Sequence, residues 1–274
     1  MPLISIITTC FNASDCIRET IESVLNQDFR DFEYIIMDGA SKDDTVKIAE
    51  SYTDSFEKAG IPYRIFSEPD SGIYEGMNHA LSHATGEYLN YMNAGDCLYS
   101  GNTLSLVAAH MSSLSGDARP DIIYGDAASI EFNQTYKYVK DLSLIQRRMP
   151  FSHQTVFASR DLLLRNPFDE SLRIGADYNF LLTAYREGCL FSDSNVTVCT
   201  VTLDGLSSVD LLHTFEETVA IQRAHGIDLY PGKAYDKKIR NYKIKQFVMD
   251  HFPKPIIKSI RKLQRIKRGQ NEHC

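Results

Sequence analysis

The first part of the chain alternates short apolar runs with stretches whose apolar residues recur every three or four positions. Leu3 to Thr8 is a β-branched run that predicts a strand, and Ile17, Ile21, Val24 and Leu25 then share one helical face. Phe32 to Met37 predicts a second strand. Ser41, with Asp44 three residues on, has the pattern of a capping box and predicts a helix through Ile48 and Tyr52. After a third strand, Tyr63 to Phe66, Pro69 and Gly72 punctuate a turn. Ile73, Met77, Ala80, Leu81 and Ala84 form the next helical face, which Gly86 ends before a strand from Tyr88 to Met92. This rhythm predicts a mostly parallel α/β sheet whose polar loops, carrying Asn12, Asp38, Asp70 and Asp96, gather at one edge.

The rhythm then changes. A helix is expected from Asn102 to Met111, followed by strands at Asp121–Asp126 and Ser129–Val139, the latter alternating as in an antiparallel hairpin. His153 and Gln154 are a polar pair entering an apolar strand that reaches Phe157. Ile174 to Leu182 opens a helix with Asp177 near its N-terminus, and Leu190 to Leu203 is strand-like. Helical segments follow at Leu211–His225 and Lys237–His251, before Pro253 and Pro255 break the chain. From Ile256 to Arg268 an apolar stripe of Ile256, Ile257, Ile260, Leu263 and Ile266 is surrounded by six lysines and arginines.

Composition narrows the class. With 274 residues, 43% hydrophobic and 24% charged, the sequence has ordinary globular character and room for one sizeable core. No apolar run approaches the roughly 18 to 20 residues of a membrane span, and the first residues lack a basic region and a cleavage site, so a cytoplasmic protein is expected. The six cysteines have no paired spacing and read as reduced thiols. Charge is unevenly spread: residues 1–232 hold 16 basic against 33 acidic residues, a balance of −17, whereas residues 233–268 hold 13 against 2, a balance of +11. The two parts therefore face different partners.

Acids at strand ends have distinct uses. A carboxylate there can accept from a uracil N3–H or a ribose hydroxyl, and Asp96, on a loop loosened by Gly95, is placed to hold a divalent metal against a phosphate. The alternative is that Asp96 caps the helix near Asn102. Neither a G-x-x-x-x-G-K-[ST] loop nor a G-x-G-x-x-G after the first strand is present, which removes the main support for ATPase and dinucleotide readings.

Several spaced motifs carry a resemblance: Ser5 to Asn12, Glu22 to Gln27, Phe32 to Ser41, Asp43 to Thr45, and Ala84 to Asn90. Over roughly residues 3–190 the chain resembles the GT-A, family 2 glycosyltransferases. The resemblance implies a Rossmann-like, mostly parallel nucleotide-binding sheet, a smaller antiparallel acceptor-side element and, beyond them, a C-terminal helical extension. The corresponding division is residues 1–205 and 206–274. It implies inverting transfer from a nucleotide diphosphate sugar, usually a UDP-sugar, with Mn2+ or Mg2+ on the diphosphate. A glycan or polyprenyl-diphosphate-linked acceptor is implied, and no nucleic acid.

On this resemblance the donor site draws on Thr8, Thr9, Phe11, Asn12, Asp38, Gly39, Asp70, Gly72, Asn78, Asn93, Ala94 and Gly95, with Asp38 on the base and Asp96 on the metal. His153 and Gln154 would touch the acceptor or diphosphate, and Asp177 would be the general base. The bland readings stand beside these: His153 as a hydrogen-bonded structural residue, and Asp177 as a helix N-terminal acid favoured by the dipole. Two departures mark the chain, Asn93-Ala-Gly-Asp96 in place of an acid-rich D-x-D-D, and Met37-Asp38 where paired acids are frequent.

The basic C-terminal helix suits the anionic inner face of a cell membrane, or else packs on its own domain. Two other classes remain. A nucleotidyltransferase would want a glycine-rich, basic loop where Thr9-Cys-Phe-Asn12 stands, and a non-catalytic, membrane-associated binding protein would leave the strand-end acids unexplained.

Overall fold

The structure is a computed structural model and describes residues 1–114, 119–131, 134–137, 140–201 and 205–251. Two compact units divide at residues 203 and 204. In the first, β1 (Ile4–Cys10), β2 (Phe32–Asp38), β3 (Tyr63–Ser67) and β4 (Tyr88–Tyr91) pair in parallel in the order β3-β2-β1-β4. Every residue of β1, β2 and β4 is buried, as expected of parallel strands covered on both faces. Strands β1 and β4 run in register from Ile4/Tyr88 to Ile7/Tyr91. A Cβ on Gly86 would lie 2.5 Å from the Ser5 nitrogen, so only glycine admits that approach.

Helices α1 (Ile17–Leu25) and α4 (Ile73–His83) form as their periodicity predicts. The helix predicted after Asp44 forms as α2 (Thr45–Glu50), ends before Tyr52 and is followed by α3 (Thr53–Ala59), but no side chain caps α2. Ser41 is instead committed to Asp38 and to the backbone of Asn12, which removes it from the capping role. Phe56 of α3 stacks on Tyr63 at 4.3 Å and closes an aromatic group with Tyr34 in the core.

Past β4 the sheet continues through β5 (Cys97–Leu98), β6 (Ile122–Glu131), β7 (Gln134–Lys137), β8 (Phe157–Ser159) and β9 (Phe191–Thr200). Its order runs β4-β8-β6-β9-β5, with β7 hairpinned onto β6. The predicted strand at Asp121–Asp126 continues to Glu131 as β6, with register shifts between Tyr124 and Ala127, and the hairpin expected over Ser129–Val139 is the antiparallel pairing of the end of β6 with β7. Helices α5 (Thr103–Ser113), α6 (Arg160–Arg165) and α7 (Ala176–Arg186) complete the unit. Strand β8 lies antiparallel to β4, with Leu89 opposite Ala158, so the residues that precede β8 fall beside the carboxyl end of β4.

The second unit contains α8 (Leu206–Val209), α9 (Leu211–Ala224) and α10 (Lys233–His251). Phe215 of α9 stacks on Tyr242 of α10 at 4.4 Å, and Gln246 of α10 accepts from the Leu211 amide that opens α9. The basic helix predicted at 256–268 lies outside the described residues. Among the described residues no helix is long and apolar enough to cross a membrane, and five cysteines are free thiols.

Candidate active site

The carboxyl edge of β1 and β2 is built from two stitched loops. Asn12, at φ +49°, donates its amide to Ser41 Oγ at 2.7 Å, and its Oδ1 accepts from the Lys42 amide at 2.9 Å. Ala13 and Ser14 donate to Thr45 Oγ1 and Asp43 Oδ2. Hydrogen bonds from the Thr45 hydroxyl and from backbone amides hold the Asp43 carboxyl well below the usual carboxylate range. Ala40 also adopts positive φ, +61°, a conformation costly for a residue with a Cβ and kept here by these stitches. Phe11, 61% exposed, stands out of this edge.

Asp38 reaches the edge but is turned inward. It is fully buried, its oxygens accepting from Ser41 Oγ, the Ser41 amide at 2.9 Å and Ser67 Oγ at 2.7 Å. Through these bonds Asp38 shapes the 39–41 loop. Beside it stands the half-buried Asp70, seated over Gly39 and Gly76, where an added Cβ would come within 2.8 and 3.0 Å of its Oδ2. Burial raises the Asp70 pKa, and the charges of Glu75 and Asp38 add to that against the Gly72 amide and His79. Gly72, exposed, is the N-cap residue of α4.

Two expected donor residues are bonded to other parts of the protein. Strand alternation sends Thr8 into the core, where its hydroxyl meets Tyr34 OH at 2.9 Å. Asn78 spends its amide on the 168–170 loop, exchanging bonds with the Phe168 backbone and reaching Glu170 at 2.8 Å.

At the end of β4, Asn93, Ala94, Gly95 and Asp96 form a tight turn, closed by Asp96 N to Asn93 O at 3.0 Å, with Gly95 at φ +94° in the position that demands it. Its neighbour is the 3-10 turn His153–Thr155, which the antiparallel β8 delivers to the same place. Gln154 Nε2 donates to Asp96 Oδ2 at 2.6 Å, while its Oε1 accepts from Ser152. Asp96 is buried, bonded to Gln154 and six residues before Asn102, the N-cap position of α5, so the capping alternative falls away.

His153 points the other way. Its Nδ1 lies 3.1 Å from Asp177 Oδ2, and its Nε2 lies 3.0 Å from Asn93 Nδ2. Thr9 Oγ1 donates to Asn93 Oδ1 at 3.1 Å, which turns the Asn93 amide group toward His153 and asks Nε2 to accept. Desolvation lowers the His153 pKa, but hydrogen bonding and charge from Asp177, with the charge of Asp96, outweigh it and leave the value raised. Protonated His153 would need the Asn93 amide to turn over. Asp177 sits in the first turn of α7 and also meets Tyr74 OH at 3.2 Å, 103 residues away in sequence. It is a helix N-terminal acid and part of the cluster at once.

The structure thus brings Thr9, Asn93, Asp96, His153, Gln154 and Asp177 into one connected group, beside loops carrying Phe11, Asn12 and Asp70. No sequence pattern marked Tyr74 or Ser67 as partners of Asp177 and Asp38. Among the described residues no three His, Cys, Asp or Glu side chains could hold a metal by themselves.

A parallel sheet continued by antiparallel strands, with acids converging on one edge, is the GT-A arrangement. The chain belongs to glycosyl transferase family 2, whose model matches residues 5–170. It is 30% identical over 191 residues to the PGL/p-HBAD biosynthesis glycosyltransferase of Mycobacterium bovis, covering 69% of this chain and 72% of that one. Among solved structures it is similar to TarS 1–349 of S. aureus in complex with UDP, at TM-score 0.64 and 22% identity, covering 82% of this chain and 65% of TarS 1–349. The chain therefore spans slightly under two thirds of that structure. It is also similar to the mannosyltransferase PcManGT of Pyrobaculum calidifontis in complex with GDP-Man and Mn2+, at TM-score 0.63 and 18% identity, covering 88% and 69%. At such identities the structural likeness speaks for the fold.

Proposed function

We propose that this glycosyltransferase moves a hexose or N-acetylhexosamine from a UDP-sugar, with inversion, to a lipid-linked glycan acceptor in bacterial surface polysaccharide synthesis. The observation that carries the reading is one turn holding both halves of the chemistry: Gln154 bonds Asp96 on the donor side, and its neighbour His153 bonds Asp177 across from it. The UDP in TarS and the GDP-Man in PcManGT support a nucleotide-sugar donor.

In this reading Phe11, Asn12 and Asp70 line the nucleoside side, with Asp38 acting through the loop it shapes. Asp177 takes the proton of the acceptor hydroxyl as its oxygen bonds to the anomeric carbon and the bond to the diphosphate oxygen breaks. His153 and Tyr74 hold the Asp177 carboxylate in place. A divalent cation fits Asp96, because Mn2+ or Mg2+ asks for one or two carboxylates and draws its other oxygens from phosphates and water. Such a cation would supply charge to the departing diphosphate.

The test is release of UDP from a panel of UDP-sugars, with and without Mn2+. Release that depends on both sugar identity and acceptor carries the proposal, whereas diphosphate release from a nucleoside triphosphate would favour a nucleotidyltransferase. Absence of turnover with intact UDP-sugar binding would favour a binding protein.

Peripheral attachment to an anionic membrane face is the second part of the reading. Residues 233–268 carry a balance of +11, from 13 basic and 2 acidic residues, and α10 exposes Ile244 and Phe247 among its lysines. Each basic residue near the headgroups adds about 1 kcal/mol of attraction. Deleting residues 253–274 is expected to weaken co-sedimentation with anionic vesicles and to slow transfer to a lipid-linked acceptor far more than donor hydrolysis. Binding should also fall with salt. Undiminished low-salt sedimentation of the truncated chain, with a lowered melting temperature, would assign that segment to packing instead.

A further inference from the structure

Asn90 is a polar residue in the middle of β4, fully buried, and none of the chemistry above uses it. Its Nδ2 donates to two carbonyls, Gln154 O at 2.8 Å and Val156 O at 2.9 Å. Its Oδ1 is buried with no hydrogen-bond partner. An orphaned buried amide oxygen is unfavourable, and an apolar residue would avoid that loss inside a strand otherwise made of Tyr and Leu.

The location explains what the amide does. Paired residues of β4 and β8 end at Leu89 and Ala158, one residue short of Asn90. There the partner chain leaves the sheet, and the two carbonyls that Asn90 takes belong to the segment that has left. Both of its N–H groups are thus spent on continuing, by a side chain, a ladder that the backbone has abandoned. What they fix is the 3-10 turn His153–Thr155. The carboxyl end of β4, one residue past Asn90, leads directly into Asn93 and Asp96, so one strand holds the donor turn by its backbone and the His153-Gln154 turn by a side chain.

We infer that Asn90 is a positioning residue that sets the distance between the Asp96 turn and the His153-Gln154 turn, and through His153 the orientation of Asp177. It touches no substrate. The inference rests on the proposed roles of Asp96 and Asp177 for its effect on catalysis, while its effect on His153 stands apart from them. A misplacement of about 1 Å at a reacting group costs up to roughly 10²-fold in rate, so a side chain that fixes this spacing has leverage out of proportion to its place behind the site.

The experiment compares Asn90→Leu, which keeps the branched shape at a larger volume and removes both donors, with Asn90→Ser, which keeps one. Both are first checked by melting curves. Long-range 1H–15N spectra of 15N-histidine protein, with the His153 signal assigned by its loss in His153→Gln, read the tautomer after the pH has been raised until the ring 15N shifts stop changing, since Asp177 keeps this imidazole charged to higher pH than an ordinary one. The wild-type ring is expected to carry its proton on Nδ1 alone, facing Asp177. In the folded variants the two tautomers should interchange, and kcat should fall by roughly 10- to 100-fold. In a double-mutant cycle, Asn90→Leu should add little to His153→Gln, since both act through one ring.

A folded variant that keeps the single Nδ1–H tautomer overturns the inference, whatever its activity. So do fully additive effects in the cycle, or unfolding of both variants, which would make Asn90 a determinant of the fold. If wild-type protein shows no transfer in any assay, the proposed function fails while the tautomer comparison still decides the role of Asn90.

Discussion

Asp177→Asn is expected to bind UDP and UDP-sugar as the wild type does while transfer to acceptor falls by about 10²–10⁴, the usual worth of a general base. The amide keeps the shape and can still accept from the Tyr178 amide and meet Tyr74, both of which face Oδ1. What it loses is the ability to take a proton. A loss of kcat with unchanged donor affinity marks an interaction made in the transition state, and single-turnover rates beside UDP titrations separate the two. The side facing His153 Nδ1 is Oδ2, and an NH2 placed there would oppose the imidazole proton, so the Asn side chain keeps its carbonyl oxygen toward one partner at the expense of the other. For that reason Asp177→Glu is a useful companion: it restores basicity with displaced geometry, and partial recovery would separate proton transfer from positioning. Transfer within about threefold of wild type, far below the general-base range, would leave Asp177 as a structural helix-start acid.

The second large effect is at Asp96. Asp96→Ala should abolish the gain in UDP affinity that Mn2+ or Mg2+ gives, since the donor turn holds no second acid to replace it. Calorimetric titration of UDP with and without metal measures this directly. The substitution also leaves Gln154 Nε2 without its acceptor in a buried place, at a cost of about 1–3 kcal/mol, so a small drop in melting temperature is expected. Asp96→Asn, which can still accept from Gln154, should retain stability and lose the metal effect. An Asp96→Ala protein whose UDP affinity still rises with metal to the wild-type extent would move the metal to other residues.

Sequence and structure agree most closely where the structure is local. The apolar runs at Leu3–Thr8, Phe32–Met37 and Tyr88–Met92 are strands, because a strand covered on both faces has to be apolar along its length. Agreement fails where a polar side chain had two uses. Ser41 had the spacing of a cap, yet Asp38 and Asn12 claim it, and the helix starts without it. Thr8 and Thr9 look alike in sequence, but strand alternation gives one to the core and the other to Asn93. Asn78 lies on a helix that follows the donor loops, and its actual partners are 90 and 92 residues away.

What the sequence determined by itself was the register of strand and helix, and hence which loops share the carboxyl edge: Asn12, Asp38, Asp70 and Asp96 follow from periodicity because each parallel strand must point the same way. Only the tertiary structure decided how Asp96 and Asp177 are joined. That depends on β8 entering the sheet antiparallel beside β4, which brings His153 and Gln154 to the end of a strand with which they share no local pattern. Periodicity records whether a residue faces the core. It does not record which strand lies next to which, and the contacts from Gln154 to Asp96, His153 to Asp177 and Tyr74 to Asp177 are set by that order.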